Sequence, residues 1–187
     1  TQVGGSGILA DWSGSGFEIN VTAVGGDFTV GYKASYASYW AVLVDGGEVW
    51  RGLAEAGTGT FTAPIPAGEH TVTVVKETQI SSGASAYCDL TTVSFAGTVN
   101  AAPAGKALYI EFIGDSIACG DGALGTYEPG VKWQAQDDSA THSFPWYTAR
   151  ALNADYSIVA RGGIGLLKGY SVQEGTQNVV TMGDIYA

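Results

Sequence analysis

The chain has 187 residues, of which 45% are hydrophobic and only 14% are charged. The apolar share excludes a disordered chain, and 28 glycines with many Thr, Ser, Val and Tyr residues favour strands and tight turns over long helices. A formal net charge of −10 would repel a phosphate backbone, and the eight Lys and Arg residues form no basic cluster. We therefore expect no nucleic-acid partner, and no apolar run is long enough to predict a membrane span.

The first half of the chain has the pattern of a β domain. Asp45-Gly46-Gly47 predicts a hairpin turn, because Asp and Gly tolerate the positive φ angles of such turns, and Gly25-Gly26 predicts a second one. Between the turns, apolar residues favour strands over 17–24, 28–32, 40–44, 48–51 and 70–76. The regular spacing predicts an antiparallel β-sandwich of jelly-roll type.

The second half has a different pattern. Small residues and a proline over 99–106 predict a linker, so we expect a β-sandwich domain over 1–103 and a second domain over 104–187. The second domain is predicted to contain a strand over 107–113, a helix over 144–152 capped by Ser143, and a strand over 156–160. Strand, helix and strand indicate a parallel α/β sheet, whose functional loops lie at the carboxyl ends of its strands.

The tripeptide Gly114-Asp115-Ser116 lies at such a strand end. A buried strand can support a nucleophilic serine there, while the turn exposes its hydroxyl and directs its N–H towards a developing oxyanion. Taken alone, the tripeptide is better explained as a strand-to-helix turn with a capping residue. The surrounding sequence decides between these interpretations.

Three stretches of the chain together resemble one known family. They are 109–122 around the Gly-Asp-Ser tripeptide, 143–166 with its loop Gly162-Gly163-Ile164-Gly165, and the N-terminal pieces Trp12 to Phe17 and 68–78. The first two stretches resemble the opening blocks of the SGNH/GDSL hydrolases. Taken together, the three stretches are similar to carbohydrate esterase family 2. The members of this family are two-domain enzymes that remove acetyl groups from plant polysaccharides. The resemblance implies a jelly-roll β-sandwich followed by the N-terminal part of a flavodoxin-like SGNH domain.

The resemblance also implies a set of site residues. Ser116 would be the nucleophile, the N–H groups of Ser116 and Gly163 would form the oxyanion hole, and Gly114 and Asp115 would support the nucleophile turn. Gly162 departs from the serine that the family usually carries in Ser-Gly-x-Gly. The implied enzyme is a secreted or extracellular esterase that acts on acetylated polysaccharide or oligosaccharide. No metal-ligand cluster is visible in the sequence, so we expect neither a metal nor another cofactor.

Two parts of the family pattern are missing. The catalytic base of the family is a histidine in a late Asp-x-x-His block, and an Asn in a Gly-x-Asn-Asp-like block is a further oxyanion donor; neither block occurs here. His70 is interpreted as a strand-edge residue without an acid partner, and His142 as a surface residue at a helix start. We therefore expect this chain to be inactive or incompletely folded by itself, and a C-terminal fragment or second chain to complete the domain.

Two other functions remain open at this stage. The chain could be a carbohydrate-binding or scaffold module with a degenerate esterase half, or a GDSL lipase-like enzyme for longer acyl chains. Trp133, in the long loop over 120–141, could stack on a sugar ring or anchor its own loop. Cys88 and Cys119 could form a disulfide across the domain junction or remain buried free thiols.

Overall fold

The computed structural model describes residues 2–79, 87–126, 130, 134–166, 169 and 181–186, with only the backbone described for residues 2–6 and 185. Its strands are β1 (Gln2–Leu9), β2 (Gly16–Ala34), β3 (Ser38–Val44), β4 (Gly47–Ala54), β5 (Gly57–Lys76), β6 (Cys88–Val99), β7 (Leu108–Gly114) and β8 (Ala154–Ala160). Its helices are α1 (Ser116–Cys119), α2 (Phe144–Ala151) and α3 (Met182–Tyr186), with single 3₁₀ turns at Ala135–Asp137 and Ala140–His142. The chain is thus mostly sheet, as its composition predicted.

Within the described residues, six strands form one antiparallel sheet in the order β1-β6-β2-β5-β3-β4. Its centre is the long pairing of β2 with β5, which runs from Gly16 opposite Val75 to Ala34 opposite Gly57. The hairpin predicted at Asp45-Gly46 joins β3 to β4, and these two residues have φ angles of 50° and 81°. This turn is confirmed.

The turn predicted at Gly25-Gly26 is wrong. Both glycines do have positive φ angles, 90° and 110°, but the chain continues through them as one strand, β2. The pairing with β5 keeps its register across them, since Val24 lies opposite Ala67 and Gly26 opposite Ile65. The positive φ angles that glycine allows, and that often form a tight turn, occur here inside a strand.

These glycines mark a change in the side of β2 that faces the core. Val21 and Ala23 are buried before them, whereas Phe28 and Val30 are buried after them, so the inward positions change from odd to even numbers. Side chains from both halves of β2 nevertheless join a single cluster, which also includes Trp40. The two halves of this long strand therefore enclose the same hydrophobic core, and burial of its apolar surface holds the sheet in this form.

The last part of the described chain forms a parallel pair. β7 runs beside β8 from Leu108 opposite Ala154 to Gly114 opposite Ala160, so the predicted parallel pairing is confirmed. Helix α2 begins as predicted, because the Ser143 hydroxyl accepts a hydrogen bond from the backbone N–H of Trp146. The carboxyl ends of β7 and β8 consequently lie at the same edge.

A second cluster of buried side chains joins this unit to the antiparallel sheet. Trp146 of α2 and the partly buried Tyr156 of β8 pack with residues of β3 and β5, namely Ala41, Leu43 and Val75. The Tyr156 hydroxyl also donates a hydrogen bond of 3.0 Å to the carbonyl of Gly14. β3 and β5 are therefore covered on both faces where they meet α2. This packing fixes the parallel pair and its helix against the antiparallel sheet.

Candidate active site

Ser116 is the first residue of α1, directly after the turn that ends β7. Asp115 caps this helix, because its carboxylate accepts a hydrogen bond of 3.0 Å from the N–H of Ile117. A Cβ atom on Gly114 would lie 2.6 Å from the Cβ of Ala118, so the turn packs too closely for a larger residue there. The Ser116 side chain is partly exposed at this position, as a nucleophile requires.

The turn that carries Ser116 is anchored at its far end. Gly120 ends α1 with a φ of 85°, and a Cβ there would lie 2.1 Å from the carbonyl oxygen of Ser139. The N–H of Asp121 then donates a hydrogen bond of 3.0 Å to the carbonyl of Ser116. Buried residues of α1 pack against β8 in a small cluster formed by Ala118, Cys119, Ile158 and Ala160.

The loop after β8 lies beside the turn after β7. The N–H of Arg161 is 3.4 Å from the carbonyl of Gly114, which joins the two strand ends. Gly163 has a φ of 74° and is exposed, and apart from its chain neighbours no described residue has an atom within 4 Å of the position that a Cβ would take. The parallel pairing thus brings Ser116 and Gly163 to the same edge of the sheet, where the sequence placed both.

Sequence reasoning missed two further residues at this edge, Gln79 and Asp121. The Gln79 side chain accepts a hydrogen bond of 2.7 Å from the N–H of Gly162 and donates one of 2.8 Å to Asp121. Burial, together with the neighbouring carboxylates of Asp138 and Asp115, raises the pKa of Asp121 to about 7. No sequence signal could have found Gln79, since it lies 83 positions before Gly162.

A buried polar network supports the loop that follows α1. Glu77, at the end of β5, is fully buried and accepts hydrogen bonds from the hydroxyls of Ser139 and Thr141, at 2.7 and 2.6 Å. Arg51 of β4 donates to the carbonyl of Asp138 at 2.6 Å and to that of Gln136 at 3.0 Å. The antiparallel sheet therefore holds the loop through hydrogen bonds that span more than 60 positions of sequence.

The two histidines take part in other contacts. His142 is exposed, as predicted for a helix start, and its Nδ1 lies 2.9 Å from the Ser139 hydroxyl. His70 does have an acid partner, contrary to the expectation from sequence, because its Nδ1 lies 2.7 Å from Asp45 Oδ2. This hydrogen bond raises the pKa of His70. Neither histidine is hydrogen-bonded to Ser116, and both belong to the described part of the chain.

Both cysteines are free thiols and both are buried. Burial raises the pKa of Cys88, and it raises the pKa of Cys119 to about 12, so these thiols have little thiolate character at neutral pH. Of the two alternatives left open by the sequence, the structure has the free thiols. Trp133 lies outside the described residues.

The described residues hold neither a metal-type cluster nor a helix that could cross a membrane. Across 2–79, 87–126 and 134–166, with the shorter described segments, no group of three or more His, Cys, Asp and Glu residues is placed to hold a metal ion. In the same part of the chain, every helix is too short or too polar to span a membrane.

Comparison with known proteins identifies the relatives of this chain. No protein-family model matches it. The curated cellulase/esterase CelE of Acetivibrio thermocellus is 32% identical over 161 residues, which are 85% of this chain and 19% of that protein. The present chain therefore spans about a fifth of this curated relative.

Solved structures agree with this match. An active-site mutant of a family two carbohydrate esterase from Clostridium thermocellum superposes with a TM-score of 0.83 at 28% identity, over 97% of this chain and 53% of that one. A family two carbohydrate esterase from the same organism, in complex with cellohexaose, gives a TM-score of 0.80 at 27% identity, over 94% and 55%. The acetyl xylan esterase Est2A from Butyrivibrio proteoclasticus shares the fold, with a TM-score of 0.77 at 24% identity over 90% and 48%.

These matches place the chain among relatives that are carbohydrate esterases. It is a relative of the family 2 carbohydrate esterases over most of its length, as the resemblance in its sequence indicated. The chain spans about half the length of the solved esterase chains that it matches.

Proposed function

We propose that the full-length protein is a carbohydrate O-acetyl esterase in which Ser116 is the nucleophile. The observation that carries this proposal is the position of Ser116, partly exposed at the carboxyl end of β7, next to the Gly162-Gly163 loop at the carboxyl end of β8. Ligand sites of parallel sheets lie at such strand ends. The family relationship supports the chemistry.

In this mechanism the Ser116 hydroxyl oxygen attacks the carbonyl carbon of a sugar acetate and loses its proton to a base. The N–H groups of Ser116 and Gly163 stabilise the negative oxygen of the tetrahedral intermediate. Its collapse breaks the bond to the sugar oxygen, which takes up the proton, and leaves an acetyl group on Ser116. Water then attacks the acetyl-enzyme, releases acetate and restores the serine.

We assign the base to a histidine outside these 187 residues, since the two histidines of the chain are His70 and His142. His70 is paired with Asp45 and His142 faces Ser139, so neither is placed to take the proton of Ser116. A C-terminal segment or a second chain would supply this histidine and complete the domain. By this proposal the present chain alone has no esterase activity.

The proposed architecture has two domains with different roles. Residues 1–103 would form a jelly-roll-like β-sandwich, supported by the single core that both halves of β2 enclose. Residues 104–187 would form the first part of an SGNH domain, supported by the parallel pair of β7 and β8. Acetylated polysaccharide outside the cell is the proposed substrate, since one relative is described as an acetyl xylan esterase and another as a complex with cellohexaose.

Replacement of Ser116 by alanine in the full-length protein tests the nucleophile. We expect release of acetate from acetylated xylan to fall by at least about a thousandfold, because the acyl-enzyme can no longer form. Ser94→Ala is the matched control, since Ser94 is an exposed serine of β6 and its loss leaves the proposed site intact. Retained activity in Ser116→Ala would exclude the serine mechanism.

Two further measurements separate the alternatives. An acetyl esterase prefers acetyl over octanoyl esters, whereas a lipase-like enzyme prefers the longer chain. The engagement of His70 and His142 with other residues favours a second candidate, a carbohydrate-binding or scaffold module without catalysis. Binding of cello-oligosaccharide by a full-length protein that hydrolyses no ester would establish this second function.

A further inference from the structure

The Gln79 side chain joins the two loops of the proposed site. Its Oε1 accepts a hydrogen bond of 2.7 Å from the N–H of Gly162, the residue before the proposed oxyanion donor Gly163. Its Nε2 donates a hydrogen bond of 2.8 Å to Asp121 Oδ2. A backbone N–H needs an acceptor and a carboxylate needs a donor, so these partners fix the orientation of the amide.

The Asp121 end of this connection leads directly to Ser116. The N–H of Asp121 donates to the Ser116 carbonyl at 3.0 Å, so Asp121 closes the turn that carries the proposed nucleophile. Asp121 Oδ1 is buried and accepts no hydrogen bond from the described residues. Gln79 is therefore the donor that holds this carboxylate in the described part of the chain.

The backbone of Gln79 is itself held firmly. Lys76 is fully buried, and its ammonium donates to the carbonyl of Thr78 at 2.6 Å and to that of Gln79 at 2.9 Å. Next to it, Glu77 is bound by the hydroxyls of Ser139 and Thr141. The amide of Gln79 thus extends from a rigid strand end of the antiparallel sheet, and a rigid support is what a positioning residue needs.

Gly162 has no side chain at the place that the Gln79 amide occupies. A Cβ on Gly162 would lie 2.9 Å from Gln79 Oε1, 3.1 Å from Gln79 Nε2 and 3.3 Å from Asp121 Oδ2. A Cβ there would require the Gln79 amide to shift from this position. The absence of a side chain on Gly162 therefore leaves room for the Gln79 amide in this position.

We propose that Gln79 is a positioning residue for the oxyanion hole: its amide fixes the Gly162-Gly163 loop against the Ser116 turn, so that the two donor N–H groups converge. This inference rests on the proposed function, in which Ser116 and Gly163 supply those groups. Gln79 acts on the geometry of the transition state through these loops and takes no part in the proton transfer.

Three variants of the full-length protein test this role with an acetyl ester as substrate. Gln79→Ala is expected to lower kcat by about ten- to a hundredfold with little change in KM, because misplacing one donor affects the transition state more than the bound substrate. Gly162→Ala is expected to lower kcat to a similar degree. The double variant is expected to be no worse than either single variant, since both changes remove the same connection.

Gln79→Glu adds a readout that a purely structural role would not move. The new carboxylate lies next to that of Asp121. Other titratable groups near Asp121 are Asp115, Asp138 and Cys119. The ammonium of Lys76 donates a hydrogen bond to the backbone carbonyl of residue 79. At acidic pH the two carboxyl groups share a proton and keep the bridge, whereas at alkaline pH they repel each other. We expect the activity of Gln79→Glu relative to the wild type to fall as pH rises. The control variant Asn100→Asp adds a carboxylate at an exposed position directly after β6 and should show no such trend.

Amide hydrogen exchange gives an independent readout that needs no activity. The Gly162 amide is expected to exchange faster in Gln79→Ala, with an unchanged urea midpoint as evidence that the protein is folded. Unchanged exchange, or single-variant losses that multiply in the double variant, would overturn the inference. Loss of activity in Ser116→Ala together with full activity in Gln79→Ala would overturn the role of Gln79 and leave the proposed function intact. Full activity in Ser116→Ala would overturn both the proposed function and the role of Gln79.

Discussion

Lys76 is a lysine that folding removes completely from water, and its charge should make stability depend on pH. Burial lowers its pKa from an ordinary value of 10.5 to about 8, although nearby Cys88 and Asp11 favour the charged form. Below pH 8 the lysine is protonated in both the folded and the unfolded chain. Between about pH 8 and 10.5 only the unfolded chain keeps the proton.

The sign of the effect follows from this difference in bound protons. Because the unfolded chain binds more protons in that interval, the free energy of unfolding rises with pH there. The gap between 10.5 and about 8, at roughly 1.4 kcal/mol per pH unit, corresponds to about 3 kcal/mol. Lys76→Met removes this pH-dependent contribution, so the free energy of unfolding of the wild type should gain about 3 kcal/mol relative to the variant between pH 7 and pH 10.5.

Urea unfolding followed by tryptophan fluorescence at pH 7, 8, 9 and 10 measures this difference. The comparison between the two proteins cancels the titration of Tyr156, whose pKa does not depend on Lys76. Lys33→Met is the control for the loss of a lysine side chain, since Lys33 is exposed on β2. A constant difference for Lys76→Met would refute the argument, because it would mean that burial does not depress the pKa of this lysine.

Two further predictions concern other polar groups of the fold. Glu77→Ala should lower the free energy of unfolding by about 2–4 kcal/mol, because it leaves the buried hydroxyls of Ser139 and Thr141 without their acceptor; urea unfolding measures this against Glu55→Ala, an exposed site. Asp45→Asn should lower the NMR titration midpoint of His70, because the hydrogen bond from Asp45 raises the pKa of His70. In the wild type this pair stabilises the fold while His70 is protonated. The contribution disappears as pH rises through the pKa of His70 in the folded protein. An unchanged midpoint in Asp45→Asn would show that the hydrogen bond is not formed in solution.

Local signals predicted the elements whose causes are local. The Asp45-Gly46 turn and the Ser143 cap depend on the conformational and hydrogen-bonding properties of a few adjacent residues, so their sequence was sufficient. Apolar runs likewise predicted β7 and β8 and their parallel pairing. The family resemblance then indicated which serine and which glycine to examine at the strand ends.

Predictions were wrong or missing where a distant partner decides the outcome. Gly25-Gly26 has the backbone freedom for a turn, but pairing with β5 on both sides keeps the chain extended. His70 obtains its acid partner from a turn 25 positions earlier in the chain. Such contacts depend on how strands are placed next to each other, which the pattern of one segment does not contain.

The sequence by itself determined that this chain is rich in strands and that Ser116 follows a strand, because periodicity and turn chemistry are properties of neighbouring residues. Its resemblance to a known family indicated that its relatives are esterases. Only the tertiary structure decided the burial of Lys76 and Glu77 and the bridge from Gln79 to Gly162. The physical reason is that the cost of burying a charge and the benefit of a hydrogen bond depend on what packing brings from elsewhere in the chain.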